Sequence, residues 1–182
     1  MIPKYKRLPR FLDGVATVYV SFFRGTPIVV QLLIGYYVLL PALDVRVDAL
    51  VCCIAIFGLN SGAYVSEIMR GGINSVDAGQ MEAGRAVGLS YATTMVKIVI
   101  PQAIKNILPT LGNEFITLIK ETSVLSLIAV TDLTKSFKAI AESTYEYFIP
   151  YIMLAVTYFV IVYIISLLVK FMERRLNTDA RK

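Results

Sequence analysis

Ionisable residues set in an apolar run are the first chemistry this sequence offers. Between about residues 107 and 130, Asn113, Glu114, Thr117, Lys120 and Glu121 interrupt a largely apolar stretch. On a helix, Asn113, Thr117, Lys120 and Glu121 fall at i, i+4, i+7 and i+8 and share one face, with Glu114 at its margin. Carboxylate and ammonium groups so placed suit proton transfer, ion pairing or contact with a charged solute. Two readings stay open: a path lined for solute, or internal pairing of Lys120 with Glu121 or Glu114 that holds helices together. A second ionisable pair, Glu82 and Arg85, stands three residues apart in a more polar segment, beside Ala83, Gly84 and Ala86.

The medium around these residues follows from composition. The chain has 182 residues, 57% hydrophobic and 17% charged, with a mean hydropathy of +0.68. That is too apolar for an ordinary soluble domain. Without His or Trp it has no His-containing catalytic triad and no imidazole metal site. Cys52 and Cys53 are adjacent in an apolar run and read as small apolar side chains, not as a disulfide framework or a zinc site. No cofactor is expected. A net charge of +5 raises the question of nucleic acid, but the basic residues gather at both termini and one loop, between long uncharged stretches. That distribution fits a multi-pass membrane protein with basic cytoplasmic faces and no nucleic-acid partner.

Four spans are expected, over about residues 27–43, 49–68, 107–130 and 147–169, in a bundle of about four transmembrane helices. The last is an uncharged run of about 23 residues, long enough for a hydrocarbon core of roughly 30 Å. In the second, Gly58 and Gly62 are small residues four apart that admit a neighbouring helix. In the first, Pro27 sits where its missing N–H does least harm. The third carries the polar stripe, whose ionisable groups would each cost roughly 2.5–3.5 kcal/mol at mid-bilayer, so it must avoid lipid.

Four crossings put both ends on one side. That side holds Lys4, Lys6, Arg7, Arg10 and Arg24, the middle-loop residues Arg70, Arg85, Lys97 and Lys105, and Lys170, Arg174, Arg175, Arg181 and Lys182 of the tail. Arg46, Lys135 and Lys138 fall on the other side, and Lys120 lies within a span. The positive-inside rule therefore makes both ends and the loop over about 71–105 cytoplasmic. Residues 1–26 form a basic cytoplasmic or interfacial segment, in which 11–23 can lie as a helix in the interface, and 27–182 form the membrane domain. No cleavable signal is expected at the start.

The loop over about 71–105 is long for a connector and calls for a task of its own. Asn74 or Ser75 is expected to cap a helix from near Val76, and Gly88 to end it in the left-handed region. Ser90 is expected to cap a second short helix, roughly Tyr91 to Ile100, ended by Pro101. The small residues Ala83, Gly84 and Ala86 give the first helix a slim profile that suits a groove on a partner. The plain alternative is an amphipathic loop packed on its own protein.

The stretch QMEAGRAVGLSYATTMVKIVIP resembles the EAA loop of permease subunits of bacterial ABC importers, with Glu82, Ala83, Gly84, Gly88, Ile98, Ile100 and Pro101 at the family spacing. The motif's second Ala is Gly84 here. SFFRGTPIVVQL, NSGAYVSEIMRGGINSVDAGQ and LIKETSVLSLI resemble the polar amino acid branch of that family, of the histidine, glutamine and arginine type. The resemblance implies an all-α, MetI-like permease fold lacking the family's first helix, since members usually carry one more span ahead of the RGTP element. It implies residence in the bacterial plasma (inner) membrane. It implies ABC ATPase subunits docked at Glu82, Ala83, Gly84, Arg85, Gly88 and Pro101, a second permease subunit of the same or a similar chain, an extracytoplasmic amino-acid-binding protein, and an amino acid substrate. Asn113, Glu114, Thr117, Lys120 and Glu121 are the candidates for the substrate pathway. The chain has no GxxxxGK[ST] phosphate loop and is expected to be no enzyme in its own right.

Competing readings are a permease for another small solute, a shortened membrane subunit that does not transport, and an intramembrane enzyme using Glu114, Lys120 and Glu121 as acid–base groups. The lack of a nucleophile constellation and of metal ligands speaks against the last.

Of the smaller features, Arg24 to Pro27 shape the entry to the first span, with Arg24 an anchor at the headgroups. Glu67 and Arg70 form an interfacial pair, and the aromatic residues from Tyr145 to Tyr151 an interfacial belt.

Overall fold

Long uncharged runs make helices here, and Pro, Gly and capping side chains decide where they break. The computed structural model describes residues 10–128 and 130–178. Residues Lys4, Lys6 and Arg7 of the expected basic segment, Arg181 and Lys182 of the tail, and Ala129 lie outside the described residues. Among those described, the regular elements are helical, as expected: α1 (Arg10–Gly25), α2 (Ile28–Ile34), α3 (Leu40–Ala42), α4 (Ala49–Asn74), α5 (Ala78–Ala86), α6 (Tyr91–Thr94), α7 (Ile100–Glu121), α8 (Leu133–Thr144) and α9 (Phe148–Thr178). By length and composition α4 and α9 are each able to cross a membrane, while 11–25 and 28–42 qualify only as a pair bent by 107°. The polar stripe keeps α7 out of that set.

The chain divides into two compact units, Met1–Tyr64 and Val65–Lys182. In the first, α1 lies against α4. The Tyr19 hydroxyl donates to the Leu59 carbonyl at 2.5 Å, and Gly62 leaves room for it, since a Cβ there would lie 2.9 Å from the Tyr19 oxygen. Gly58, its expected companion, faces open space. Among the described residues, Gly62 therefore admits a neighbour and Gly58 meets none. Pro27 stands at the N-cap of α2 in extended backbone, where its fixed φ suits a helix start.

Two prolines that would ordinarily break a helix are absorbed by one device. A π turn over Gly35–Leu39 precedes Pro41, and its wide loop is closed by the Leu40 N–H on the Gly35 carbonyl. A second, over Met95–Val99, precedes Pro101 and is closed by the Ile100 N–H on the Met95 carbonyl. A π turn widens the backbone by one residue, which makes room for a ring lacking an N–H. Pro101 therefore does not end the short second helix. The chain runs from α6 through the π turn into α7, contrary to the helix–turn–helix expected to stop at Ile100.

In the second unit, α7 packs on α9, and a Cβ on Gly112 would come 2.5 Å from Val169 Cγ1. The third expected span, about 107–130, differs from the structure at both ends. The α-helix starts earlier, at Ile100, and stops at Glu121, where a 3-10 segment takes over Thr122–Leu127. Hydroxyl bonds to carbonyls three residues back accompany that segment: Thr122 Oγ1 donates to Ile119 O at 2.7 Å and Ser126 Oγ to Ser123 O at 2.9 Å. Asp132 caps α8 by accepting from the N–H groups of Thr134 and Lys135. Tyr145 ends α8 with a φ of 55°, and Glu146 caps α9 through the N–H groups of Phe148 and Ile149.

Candidate functional site

The loop candidates lie on a helix closed at both ends by its own side chains and turns. At its approach, Glu67 Oε1 pairs with Arg70 Nε at 3.2 Å on the last turns of α4. The cap of α5 is Asp77, whose Oδ1 accepts from the Gly79 N–H at 2.6 Å. The expected caps do other work. Asn74 is still part of α4, and Ser75 Oγ turns back to donate to the Gly72 carbonyl at 2.8 Å while accepting from Asn106 Nδ2 at 2.8 Å. An aspartate one residue ahead of the first helical N–H was the signal that spacing from Val76 passed over.

The far end of α5 is a Schellman closure. The Leu89 N–H bonds the Gly84 carbonyl at 3.1 Å, and the Gly88 N–H bonds Arg85 O at 3.0 Å. Gly88 holds a φ of 90°, which a residue with a Cβ reaches only under strain. Ser90 caps α6 as expected, accepting from the Thr93 N–H at 3.2 Å.

Between these closures α5 has two sides. Gly84 is buried and lies on Thr94, which is itself fully buried and donates to the Ser90 carbonyl at 3.0 Å. Glu82, Ala83, Arg85 and Ala86 are exposed. The expectation that Gly84 shares the slim outward profile is therefore corrected: the missing side chain lets α6 close onto α5, and the free face belongs to its neighbours. Gln102 Nε2 donates to Gln80 Oε1 at 3.2 Å and to Ile98 O at 3.0 Å. This amide bridge joins α5 to the start of α7, one residue after exposed Pro101. Neither Gln80, Gln102, Thr94 nor Asn106 stood out in the sequence, because each works across a fold-dependent contact and not through a local pattern.

The stripe residues sit on the second half of α7 as one face. Asn113 and Lys120 are exposed, and Glu114, Thr117 and Glu121 are half-buried. Thr117 Oγ1 donates to the Asn113 carbonyl at 3.1 Å, so its hydroxyl is held to its own helix. The stripe is centred about a third of a turn from Gly112, which faces α9. Among the described residues no ion pair joins Lys120 to Glu121, in keeping with the divergence of adjacent helix positions. Behind the loop, a cavity of about 320 Å³ is lined by Ile68, Gly71, Gly72, Ser75, Asn106 and Thr110. In the first unit, the Arg24 guanidinium stands 5.4 Å from the centre of the Tyr64 ring.

Residues 4–178 match the family of binding-protein-dependent transport system inner membrane components. The chain is 41% identical over 165 residues to the arginine transport system permease protein of Bacillus subtilis, covering 91% of this chain and 75% of that protein. It is 42% identical over 174 residues to the L-cystine transport system permease protein of the same bacterium, covering 95% of this chain and 74% of that one. A crystal structure of an amino acid ABC transporter with histidines matches it with a TM-score of 0.86 at 44% identity, over 91% of this chain and 77% of that chain.

Proposed function

The chain belongs to the family of binding-protein-dependent transport system inner membrane components, and from this we propose that it is a permease subunit of an ATP-driven importer moving a polar amino acid across the bacterial plasma membrane by alternating access. The relatives named for arginine and L-cystine, and the neighbour seen with histidines, carry substrates that combine a zwitterion with a polar or charged side chain. A polar stripe on α7, exposed at Asn113 and Lys120 and half-buried at Glu114, Thr117 and Glu121, suits such a substrate, since charge near mid-bilayer is tolerated only against water, a partner or the solute itself.

The observation that carries this reading is the bridge from Gln102 to Gln80. A helix that transmits a displacement must be rigid and must be attached to what it moves. α5 is capped by Asp77, closed by Gly88, keyed into α6 at Thr94 and tied to α7 at Gln102. Its exposed side presents Glu82, Ala83 and Arg85 to a separate ATPase subunit, and α7 carries Asn113, Glu114, Thr117, Lys120 and Glu121. A push on α5 thereby reaches the stripe along α7 by two routes, the contact of Gly84 with Thr94 on α6, which runs on into α7, and the Gln102 bridge. Both ends of the chain and the α5 region face the cytoplasm, in accord with the distribution of Lys and Arg. A second permease chain completes the path, and an external amino-acid-binding protein delivers substrate. Nucleotide and loaded binding protein each shift the equilibrium only by preferring one of the two openings.

The test is co-expression with an ABC ATPase encoded beside this chain, followed by affinity purification and uptake of a panel of labelled amino acids. Wild type retains the ATPase and accumulates one or a few polar amino acids. Glu82→Lys loses the ATPase and uptake together. Retention of the ATPase by Glu82→Lys, or labelling of residue 82 from outside intact cells, overturns the reading.

A further inference from the structure

Helix α1 has three sides, and two of them are accounted for. Tyr19, Val20 and Phe23 are half-buried; the Tyr19 hydroxyl is held on Leu59 of α4. Asp13, Thr17, Ser21 and Arg24 form a polar side, with Thr17 Oγ1 bonded back to Asp13 O at 2.8 Å. The third side is an apolar stripe, Phe11, Val15, Val18 and Phe22, spaced i, i+4, i+7 and i+11, with Phe11 78% and Val18 69% exposed.

The direction of this helix is fixed by buried amides. Pro27 has no N–H to return to the Phe23 carbonyl, and the Val30 and Gln31 N–H groups both go to Pro27 O, so two carbonyls at the end of α1 lose their helical donors. Gln31 Nε2 supplies Phe23 O at 2.9 Å and Thr26 O at 3.0 Å. Asn60 Nδ2, from α4, supplies Phe23 O at 3.1 Å and Gln31 Oε1 at 3.0 Å. Gln31 is 6% and Asn60 4% exposed. A fully satisfied buried network of this kind holds one geometry, here a bend of 107° between 11–25 and 28–42. When 28–42 crosses a bilayer at an ordinary tilt, α1 lies close to the plane of the membrane.

We propose that α1 lies in the cytoplasmic headgroup layer, its Phe11–Val15–Val18–Phe22 stripe at the acyl boundary, and that this surface selects anionic phospholipid. The choice of lipid follows from charge: Lys4, Lys6, Arg7 and Arg10 precede or open the helix in the sequence, and basic residues beside an amphipathic helix favour an anionic leaflet. A polar side and an apolar side flanking a protein-bound side is the arrangement a helix needs at a lipid–water boundary, where it meets three media at once. The proposal rests on the membrane orientation given above, but it does not depend on which solute is moved.

The full chain, co-expressed with its ATPase, is reconstituted in vesicles of phosphatidylcholine alone or mixed with phosphatidylglycerol. A fluorophore is placed by Val18→Cys or Thr17→Cys in a chain with Cys52→Ala and Cys53→Ala. Nitroxide-bearing lipid is expected to quench the probe at 18 several-fold more than the probe at 17, with the order reversed for a water-soluble quencher. Nitroxide on phosphatidylglycerol is expected to quench position 18 more than nitroxide on phosphatidylcholine at the same fraction. Access of the aqueous quencher to both positions overturns the proposal, and so does shielding of position 18 from both quenchers, which would assign the stripe to a second copy or a protein partner. Equal quenching by the two lipids overturns the anionic preference. Uptake measured on the same vesicles, supplied with ATP and with the amino-acid-binding protein, separates the two readings, because lipid contact at position 18 without amino acid uptake removes the transport function and leaves this surface standing.

Discussion

Gly84 on α5 faces Thr94 on α6 so closely that a Cβ on the glycine would fall on Thr94 Cγ2 and come within 2.9 Å of Thr94 Oγ1. The family motif that this loop resembles has Ala at that position, and here the absent methyl is the space that Thr94 fills. Gly84→Ala is expected to loosen α5 from α6. Overpacking costs about 1–3 kcal/mol, and the gain in helix propensity, about 1 kcal/mol, offsets part of it. Thr94→Ser removes the obstructing methyl, keeps a hydroxyl for the Ser90 carbonyl, and should restore the contact in the double variant. Hydrogen exchange across 78–94 reports this, and protection of the single variant equal to wild type would refute the packing account.

The closures of the same loop can be weighed separately. Asp77→Ala and Ser90→Ala each remove a cap and should cost about 1 kcal/mol of local stability. Gly88→Ala forces a side chain into a φ of 90° and should cost about 1–2 kcal/mol. Amide exchange within α5 should accelerate for Asp77→Ala and Gly88→Ala, and that of α6 for Ser90→Ala, with α9 unaffected in all three. A uniform acceleration over the whole chain would show that the loop does not open by itself.

Gln80→Ala or Gln102→Ala cuts the bridge from α5 to α7 while leaving the exposed side with Glu82 and Arg85 in place. ATPase should still co-purify with both variants, and uptake per ATP hydrolysed should fall. The double variant should be no worse than either single one, because the two amides serve one bond. Loss of the ATPase from either variant would mean that the bridge shapes the docking surface instead of transmitting movement from it.

What the sequence made legible was local. The left-handed turn at Gly88 and the cap at Ser90 follow from residue type at a helix boundary, and both are where the spacing put them. The pairing of Glu67 with Arg70 follows from i, i+3 geometry. What stayed hidden depends on a second element. Pro101 reads as a breaker until the π turn ahead of it is seen, and Ser75 reads as a cap until Asn106 is found donating to it. Gly84 reads as an outward small residue until Thr94 is placed behind it. The polar stripe was legible as a face, but the end of its α-helix at Glu121 was not, because the apolar run continues to Val130 and nothing in its pattern distinguishes an α-helix from the 3-10 segment that follows.

Thr117→Leu and Glu121→Gln test the stripe. Thr117 holds its hydroxyl on Asn113 O, so leucine removes a polar group without orphaning a carbonyl that has lost its helical donor. Both variants should lower amino acid uptake by about ten-fold, the equivalent of one lost interaction near 1.4 kcal/mol, with ATPase docking retained. Normal uptake by both would take the stripe out of the substrate path.

The elbow between α1 and α2 allows the sharpest accounting, because every donor in it has a named acceptor. Gln31→Leu leaves Thr26 O without its amide donor, strips one of two donors from Phe23 O and leaves Asn60 Nδ2 without its Gln31 acceptor. Asn60→Leu removes one donor from Phe23 O and leaves Gln31 Oε1 unmet. At about 1–3 kcal/mol for each buried group left unsatisfied, Gln31→Leu should be the more damaging. The double variant should cost less than the sum, since the Gln31–Asn60 bond is lost only once. Pro27 gives the decisive third term. Pro27→Ala restores an N–H that can return to Phe23 O in a continuous helix, so it should partly rescue Gln31→Leu while straightening the bend. Thermal unfolding in lipid, together with a spin-label distance from Val18→Cys to a label at Leu39→Cys, reads both effects. A rescue of stability with lengthening of that distance is the expected pair of results; rescue without any change in distance would mean that the amides satisfy the carbonyls but do not set the angle.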